Sequence, residues 1–194
     1  MRDYIIMTDS CCDLSQQEVE ELDLTVLPLS FTIEGKTLLN TPDHADMSPE
    51  EFFAKIAAGA DCTTAAANVG QFTDAMEKVL QEGKDILCVC FSSALSTTYQ
   101  SACIAAEDLR EKYPEAKILV IDSLSASRGQ GMLLYRAVRE RREKNLTIDE
   151  LDAYVRSIIQ SQCHWFIVDD LNHLKRGGRV SSTAALVGTM LGIK

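Results

Sequence analysis

The sequence predicts an α/β fold: a Rossmann-like parallel sheet flanked by helices, followed by the start of a second α/β domain. Two observations predict it. Short apolar runs alternate with amphipathic helical stretches along all 194 residues, the order expected of repeated strand–helix units. The run Asp85-Ile86-Leu87-Cys88-Val89-Cys90-Phe91 is apolar on both of its alternating faces, as a central parallel strand covered by helices on each side must be.

The first strand runs from Tyr4 to Met7 and leads through Thr8-Asp9-Ser10 to a helix from about Ser15. Leu24 to Ile33 reads as one extended stretch, with Glu34-Gly35-Lys36 as its turn. Ser48-Pro49-Glu50-Glu51 has the form of a capping box with proline at the first helical position, and Phe52, Phe53 and Ile56 form the expected buried stripe. Gly59 ends that helix. Asn68 to Gln71 opens another, with Phe72, Ala75, Met76, Val79 and Leu80 on one face and Gly83 beyond its end.

After the central strand, Ser92-Ser93 precedes a helix carrying Tyr99, Ala102, Cys103 and Ala106, which must stop before Pro114. Ile118 to Ile121 is the next strand and ends in Asp122-Ser123. Two helices follow, the second capped by Thr147 and Glu150. In Arg128-Gly129-Gln130-Gly131 the glycines predict close packing at a helix start. A further strand, Trp165 to Val168, leads into Asp169-Asp170-Leu171 and a short helix. An apolar helix that runs out at Leu191-Gly192-Ile193-Lys194 lacks a polar ending. The expected organisation is therefore a Rossmann-like domain over 1–160 and the beginning of a second, truncated domain over 161–194.

Composition narrows the partners. Hydrophobic residues make up 46% and the net charge is −10. No basic surface is available to neutralise phosphates, which argues against nucleic acid as a partner. No apolar run approaches a membrane-spanning length, so stable membrane insertion is not expected. There is no targeting segment, and seven cysteines, an odd number, sit within apolar segments; reduced thiols and a cytoplasmic location are the expectation.

Ligands of open α/β sheets bind outside the carboxyl ends of the strands. Three strands end alike here, in Asp9-Ser10, Ser92-Ser93 and Asp122-Ser123, and each is followed closely by a helix. Hydroxyls and helix-start N–H groups together suit a carboxylate or phosphate oxygen. The same residue types are favoured as helix N-caps, so capping alone accounts for any one of them. Three coincident ends lean towards a site. Neither G-x-G-x-x-G nor G-x-x-x-x-G-K-[ST] occurs, and no G-x-S-x-G elbow. His44, His164 and His173 are the only imidazoles, and none follows a strand end of this sheet. Cys11-Cys12 and Cys88/Cys90 lack zinc-ligand spacing and read as inert thiols. No cofactor, metal or catalytic residue is expected.

Four segments together resemble the DegV family: Thr8-Asp9-Ser10-Cys11-Cys12-Asp13-Leu14; Ser92 to Ala102; Val120-Ile121-Asp122-Ser123; and Asp169-Asp170-Leu171 with Leu174 to Ser181. They occur in the family's order, and the resemblance runs from Met1 to Lys194. It implies a Rossmann-like N-terminal domain, a second α/β domain, and a long-chain fatty acid held between them. It also implies a non-catalytic role, the protein presenting the acid to a separate bacterial fatty acid kinase. The implied head-group contacts fall on Thr63, Thr64, Ser92 and Ser93, with Ser96 nearby. Asp9, Ser10 and Ser123 at the other strand ends complete the candidate ligand-binding set. Ala65-Ala66-Ala67 stands where the family has Ser-Gln-Pro. Thr97 stands where it has glycine, which predicts either an unusual backbone angle there or a side chain crowding the head group. The enzymatic alternative is a hydrolase or phosphotransfer enzyme using Ser93 or Asp9.

Overall fold

The computed structural model of the chain describes residues 2–167 and 171–181, with the backbone alone at 172 and 173. Residues Met1–Gln162 form one compact unit and Cys163–Lys194 another.

In the first unit, β1 (Tyr4–Asp9), β2 (Leu24–Leu27), β6 (Asp85–Cys90) and β7 (Ile118–Asp122) form a parallel sheet in the order β2-β1-β6-β7. Alternation sorts their side chains between two cores, because successive residues of a strand face opposite ways. Ile6, Leu87, Val89 and Ile121 point to one face, against α1 (Gln16–Leu22), α5 (Arg128–Lys144) and α6 (Ile148–Ile159). Met7, Ile86, Cys88 and Val120 point to the other, against α3 (Val69–Gln81) and α4 (Thr98–Lys112). All of β6 is buried, as its apolar run requires. α4 brings three alanines and Leu109 to the buried core, with Tyr99 and Cys103 packed at its margin.

The chain leaves β1 for β2 on one side of the sheet and returns to β6 on the other. The carboxyl ends of β1 and β6 are therefore the switch point, where a crevice opens in folds of this type.

The stretch expected as one strand over Leu24 to Ile33 is two. β2 ends at Leu27, and β3 (Leu29–Ile33) begins after Pro28 in a separate antiparallel sheet of order β4-β3-β5. Proline has no N–H to donate to a ladder, so the break falls there. β4 (Lys36–Asn40) and β5 (Cys62–Ala65) were not anticipated. The signal for β4 lay in the turn: Glu34 and Gly35 take φ of 50° and 76°, the pattern of a two-residue hairpin loop. β5, Cys-Thr-Thr-Ala, is too short and too small-chained to show periodicity.

α2 (Pro49–Ala57) lies beside this sheet, with the Phe52 ring edge-on to Phe31 at 5.4 Å. Phe53, expected in the buried stripe, is 66% exposed. A sheet of three short strands offers only a narrow apolar strip, and Phe52 already occupies it. Ser48 accepts from the Glu51 N–H as expected, but the return half of the capping box is missing; the Glu51 carboxylate faces Lys55 instead. α1, α3 and α6 do carry complete capping boxes.

In the second unit α7 (Leu171–Arg176) ends at Gly178, whose φ of 76° stops the helix. The strand expected over Trp165 to Val168 is not formed at 165–167, since an extended segment without a ladder partner gains no backbone bonds. Val168, Asp169, Asp170 and the expected final helix lie outside the described residues.

Gly131, in the first turn of α5, is pressed against the turn after β1: a Cβ there would lie 2.8 Å from the Cys12 carbonyl oxygen and 2.9 Å from Leu14 Cδ2. Gly131→Ala is expected to destabilise the first unit by about 1–3 kcal/mol through overpacking. Urea unfolding should show a lower midpoint, and an unchanged midpoint would mean that the α5 start yields freely.

Candidate functional site

The sequence-predicted residues fall into three groups, two at the carboxyl edge of the parallel sheet and one on β5 of the antiparallel sheet. Asp9 is fully buried at the end of β1. Its Oδ2 accepts from the Phe91 N–H at 2.7 Å, and its Oδ1 accepts from the Cys11 N–H at 3.0 Å. It thereby caps the 3-10 turn Ser10–Cys12 while also holding the first residue beyond β6. Thr8 Oγ1 donates to the Val89 carbonyl at 2.7 Å and accepts from Gln130 Nε2 at 2.9 Å; the same amide nitrogen lies 3.4 Å from Asp9 Oδ2. Gln130 Oε1 is buried and has no partner. Leaving such an acceptor bare costs about 1–3 kcal/mol.

Burial raises the Asp9 carboxyl above its ordinary range, and the bonds from Phe91, Cys11 and Gln130 offset this only in part. Burial, with the charge of Asp9 beside it, also pushes the Cys11 thiol up; burial first pushes Cys12 up to about 11. Both are the opposite of what a reactive thiol needs. Cys88 and Cys90, on one face of β6, lie 3.5 Å apart at sulfur and are fully buried.

Ser10 and Ser123 are buried as well. Ser10 Oγ accepts from the Leu29 N–H at 3.0 Å and from Asn40 Nδ2 at 3.2 Å, fastening one end of the antiparallel sheet to the end of β1. Ser123 Oγ donates to the Ser125 carbonyl and accepts from the Ser125 N–H, closing the turn after β7.

The turn between β6 and α4 holds the second group. Ser92 is buried and donates its N–H to the Ser125 carbonyl at 3.1 Å. Ser93 is exposed, and its N–H donates to Asp122 Oδ1 at 3.1 Å. Ser96 Oγ and Thr98 Oγ1 share a hydrogen bond of 2.9 Å. Thr97 sits at φ −80°, ordinary for any residue, so the glycine-like angle expected there is not required. Its side chain makes no capping bond; instead Ser96 Oγ accepts from the Thr98 N–H, the first of α4, at 3.2 Å. α5 begins without a side-chain cap, at Ser127, held at φ 53° and ψ −138°. Such an angle in a non-glycine residue stores strain of about 1–3 kcal/mol.

Thr63 and Thr64 form the third group, on β5 rather than in a loop. Adjacent strand residues face opposite ways. Thr63 pairs with Thr32, which hydrogen-bonds Thr37; Thr64 pairs with Phe31, on the side of α2. The two threonines cannot both face one small group. Ala65 pairs with Ser30, next to the end fastened by Ser10, and Ala67 is buried in the core of α3 and α4.

The chain matches the model of a family of uncharacterised proteins, DegV, over residues 4–194. A DegV domain-containing protein of Clostridium perfringens is 41% identical over 194 residues, covering 100% of this chain and 66% of its own length. A second, from Lactococcus lactis, is 40% identical over 98% of this chain and 65% of its own. The chain thus spans about two thirds of the length of the curated relatives it matches. Among solved structures, a fatty-acid-binding DegV family protein from Thermus thermophilus superposes with TM-score 0.81 at 31% identity, covering 98% of this chain and 65% of that one. A stearic-acid-binding protein from Eubacterium ventriosum gives TM-score 0.81 at 27% identity, over 95% and 62%.

The raised Asp9 carboxyl has a definite effect on stability. The folded protein keeps this proton to higher pH than the unfolded chain. Between the two values the folded state holds more protons, and stability falls as pH rises. Asp9→Asn abolishes that contribution. The unfolding free energy of the variant relative to the parent, measured in urea at successive pH values, should therefore rise as pH climbs above the ordinary carboxyl range. A difference independent of pH would contradict the assignment.

Proposed function

The chain belongs to the DegV family, and from that premise we propose that it binds a long-chain fatty acid and presents the carboxylate to a separate, ATP-using fatty acid kinase. The observation that carries the reading is a shared fold with shared chemistry. Solved relatives that match nearly the whole chain are fatty-acid-binding proteins, and the carboxyl edge of the sheet here carries an exposed serine in the turn that leads into α4.

In this reading the N-terminal domain, 1–160, supplies the head-group contacts. Ser93 and one of Thr63 and Thr64 donate to the carboxylate, with Ser92 and Ser96 shaping the turn and the N-terminal end of α4 adding its partial positive charge. Asp9, Ser10 and Ser123 lie behind this layer, with their polar atoms already engaged. Burial of the acyl chain provides most of the affinity, at about 0.8 kcal/mol per CH₂. The hydroxyls determine which end is presented. They fit a binding role better than nucleophilic catalysis. No histidine among the described residues hydrogen-bonds Ser92, Ser93 or Ser96, and a serine without a base is a weak nucleophile. Asp9, wholly buried, offers no atom to a substrate. No helix among the described residues is long and apolar enough to cross a membrane; we propose the cytoplasm as the setting of this exchange, where unpaired cysteines such as Cys88 and Cys90 stay reduced.

Native mass spectrometry of the full-length protein purified from bacteria should show a co-purified fatty acid, and finding only ligand-free protein would overturn the reading. Ser93→Ala is expected to weaken fatty acid binding about ten- to hundredfold, the range for a hydrogen bond to a charged group. Thr63→Ala and Thr64→Ala should divide, one weakening binding comparably and the other leaving it nearly unchanged, because the two side chains face opposite sides of β5. Equal effects of both would reject the proposed contact from this strand.

A further inference from the structure

We infer that Asp9 is a positioning residue for the head-group turn: from the switch point, its carboxylate holds the backbone of Phe91 and so orients the Ser93 hydroxyl towards a ligand's carboxylate. The inference rests on the fatty acid reading above and adds to it a residue that does not touch the ligand.

The ladder between β1 and β6 ends at the pair Thr8–Val89. Beyond that point the Phe91 N–H has no backbone acceptor on β1, and the Asp9 side chain supplies one. The same carboxylate holds the Cys11 N–H, so a single group terminates both strands across the gap where the chain reverses its direction of winding. Two residues further on, the Ser93 N–H is held by Asp122 and the Ser92 N–H by the Ser125 carbonyl. The segment from Phe91 to Ser93 is thus strung between Asp9 on one side and the end of β7 on the other. Moving either anchor moves the Ser93 hydroxyl.

Gln130 shows that the fold is arranged around this carboxylate. Thr8 spends its proton on Val89, so both atoms facing the Gln130 amide, Thr8 Oγ1 and Asp9 Oδ2, are acceptors. The amide must turn its nitrogen to them, and its oxygen is left buried without a partner. The bare oxygen is the consequence of turning the nitrogen to these two acceptors.

The test compares binding of palmitic acid with binding of 1-hexadecanol, which keeps the chain and loses the carboxylate, in the full chain and in Asp9→Asn. The amide side chain has a single acceptor oxygen and turns two N–H groups towards backbone donors, so the turn loses an anchor. The expected result is a loss of about tenfold or more for palmitic acid, the scale of one charge-assisted hydrogen bond, with less than about a twofold change for the alcohol. Equal losses for both ligands, or no loss for the acid, would overturn the inference while leaving the fatty acid reading intact. Failure of the parent chain to bind either ligand would instead remove that reading and this inference with it. Should Asp9→Asn not fold, Gln130→Leu takes its place: it withdraws the amide from Asp9 at similar volume. The same selective loss, at about threefold or more, supports the inference, and a non-selective loss overturns it.

Discussion

Where the backbone ladder between two parallel strands runs out, their next N–H groups need acceptors, and at the junction of β1 and β6 one buried carboxylate provides them. Asp9 satisfies the Phe91 and Cys11 amides together, and Thr8 and Gln130 complete a network linking β1, β6 and α5. Burying an ionisable group is unfavourable in itself, which is why its proton is held more tightly there. The arrangement persists because three donors converge on it and because the alternative, two orphaned backbone amides in the floor of the crevice, would be costly as well.

The layer above this floor differs in character. Ser93 is exposed, neither Thr97 nor Ser127 caps its helix with its own side chain, and Ser127 is held at a backbone angle that serine rarely adopts. The first N–H of α4 is taken by Ser96 Oγ, and those of Gly129 and Gln130 in α5 by the Ala126 carbonyl, so the exposed Ser93 is where this edge keeps a hydroxyl available. For a molecule of net charge −10, local donors are the only means of attracting an anion, since the overall field opposes it. A hydroxyl-rich edge fits that requirement, and the fatty acid proposed above would add the burial of a hydrocarbon chain to what the polar end lacks.

The antiparallel sheet is a separate structural element tied to this edge. Pro28 frees the chain from the parallel sheet, and Ser10 ties the end of the new one back by accepting from both Leu29 and Asn40. Thr63 and Thr64 therefore stand on a different structural element from the serines. The sheet's strands are short, one face is covered by α2, and the hydroxyls of Thr32 and Thr37 bond each other across the other.

Much was legible in the sequence. The alternation of apolar runs with amphipathic stretches specified the parallel sheet and its helices, since burial on both faces of β6 demands an unbroken apolar run, and capping residues marked the starts of α1, α2, α3 and α6. The Ser, Thr and Asp residues at the strand ends were visible for the same local reason. What the tertiary structure alone decided was which of those polar groups are spent on the fold and which remain available. Asp9 and Ser93 look equally suited to a ligand along the chain. Yet Asp9 is consumed by donors 82 and 121 residues away at Phe91 and Gln130, whereas Ser93 keeps its hydroxyl exposed. Hydrogen-bond partners at such separations follow from strand order, and strand order follows from how the whole chain packs; no local pattern of residues encodes it.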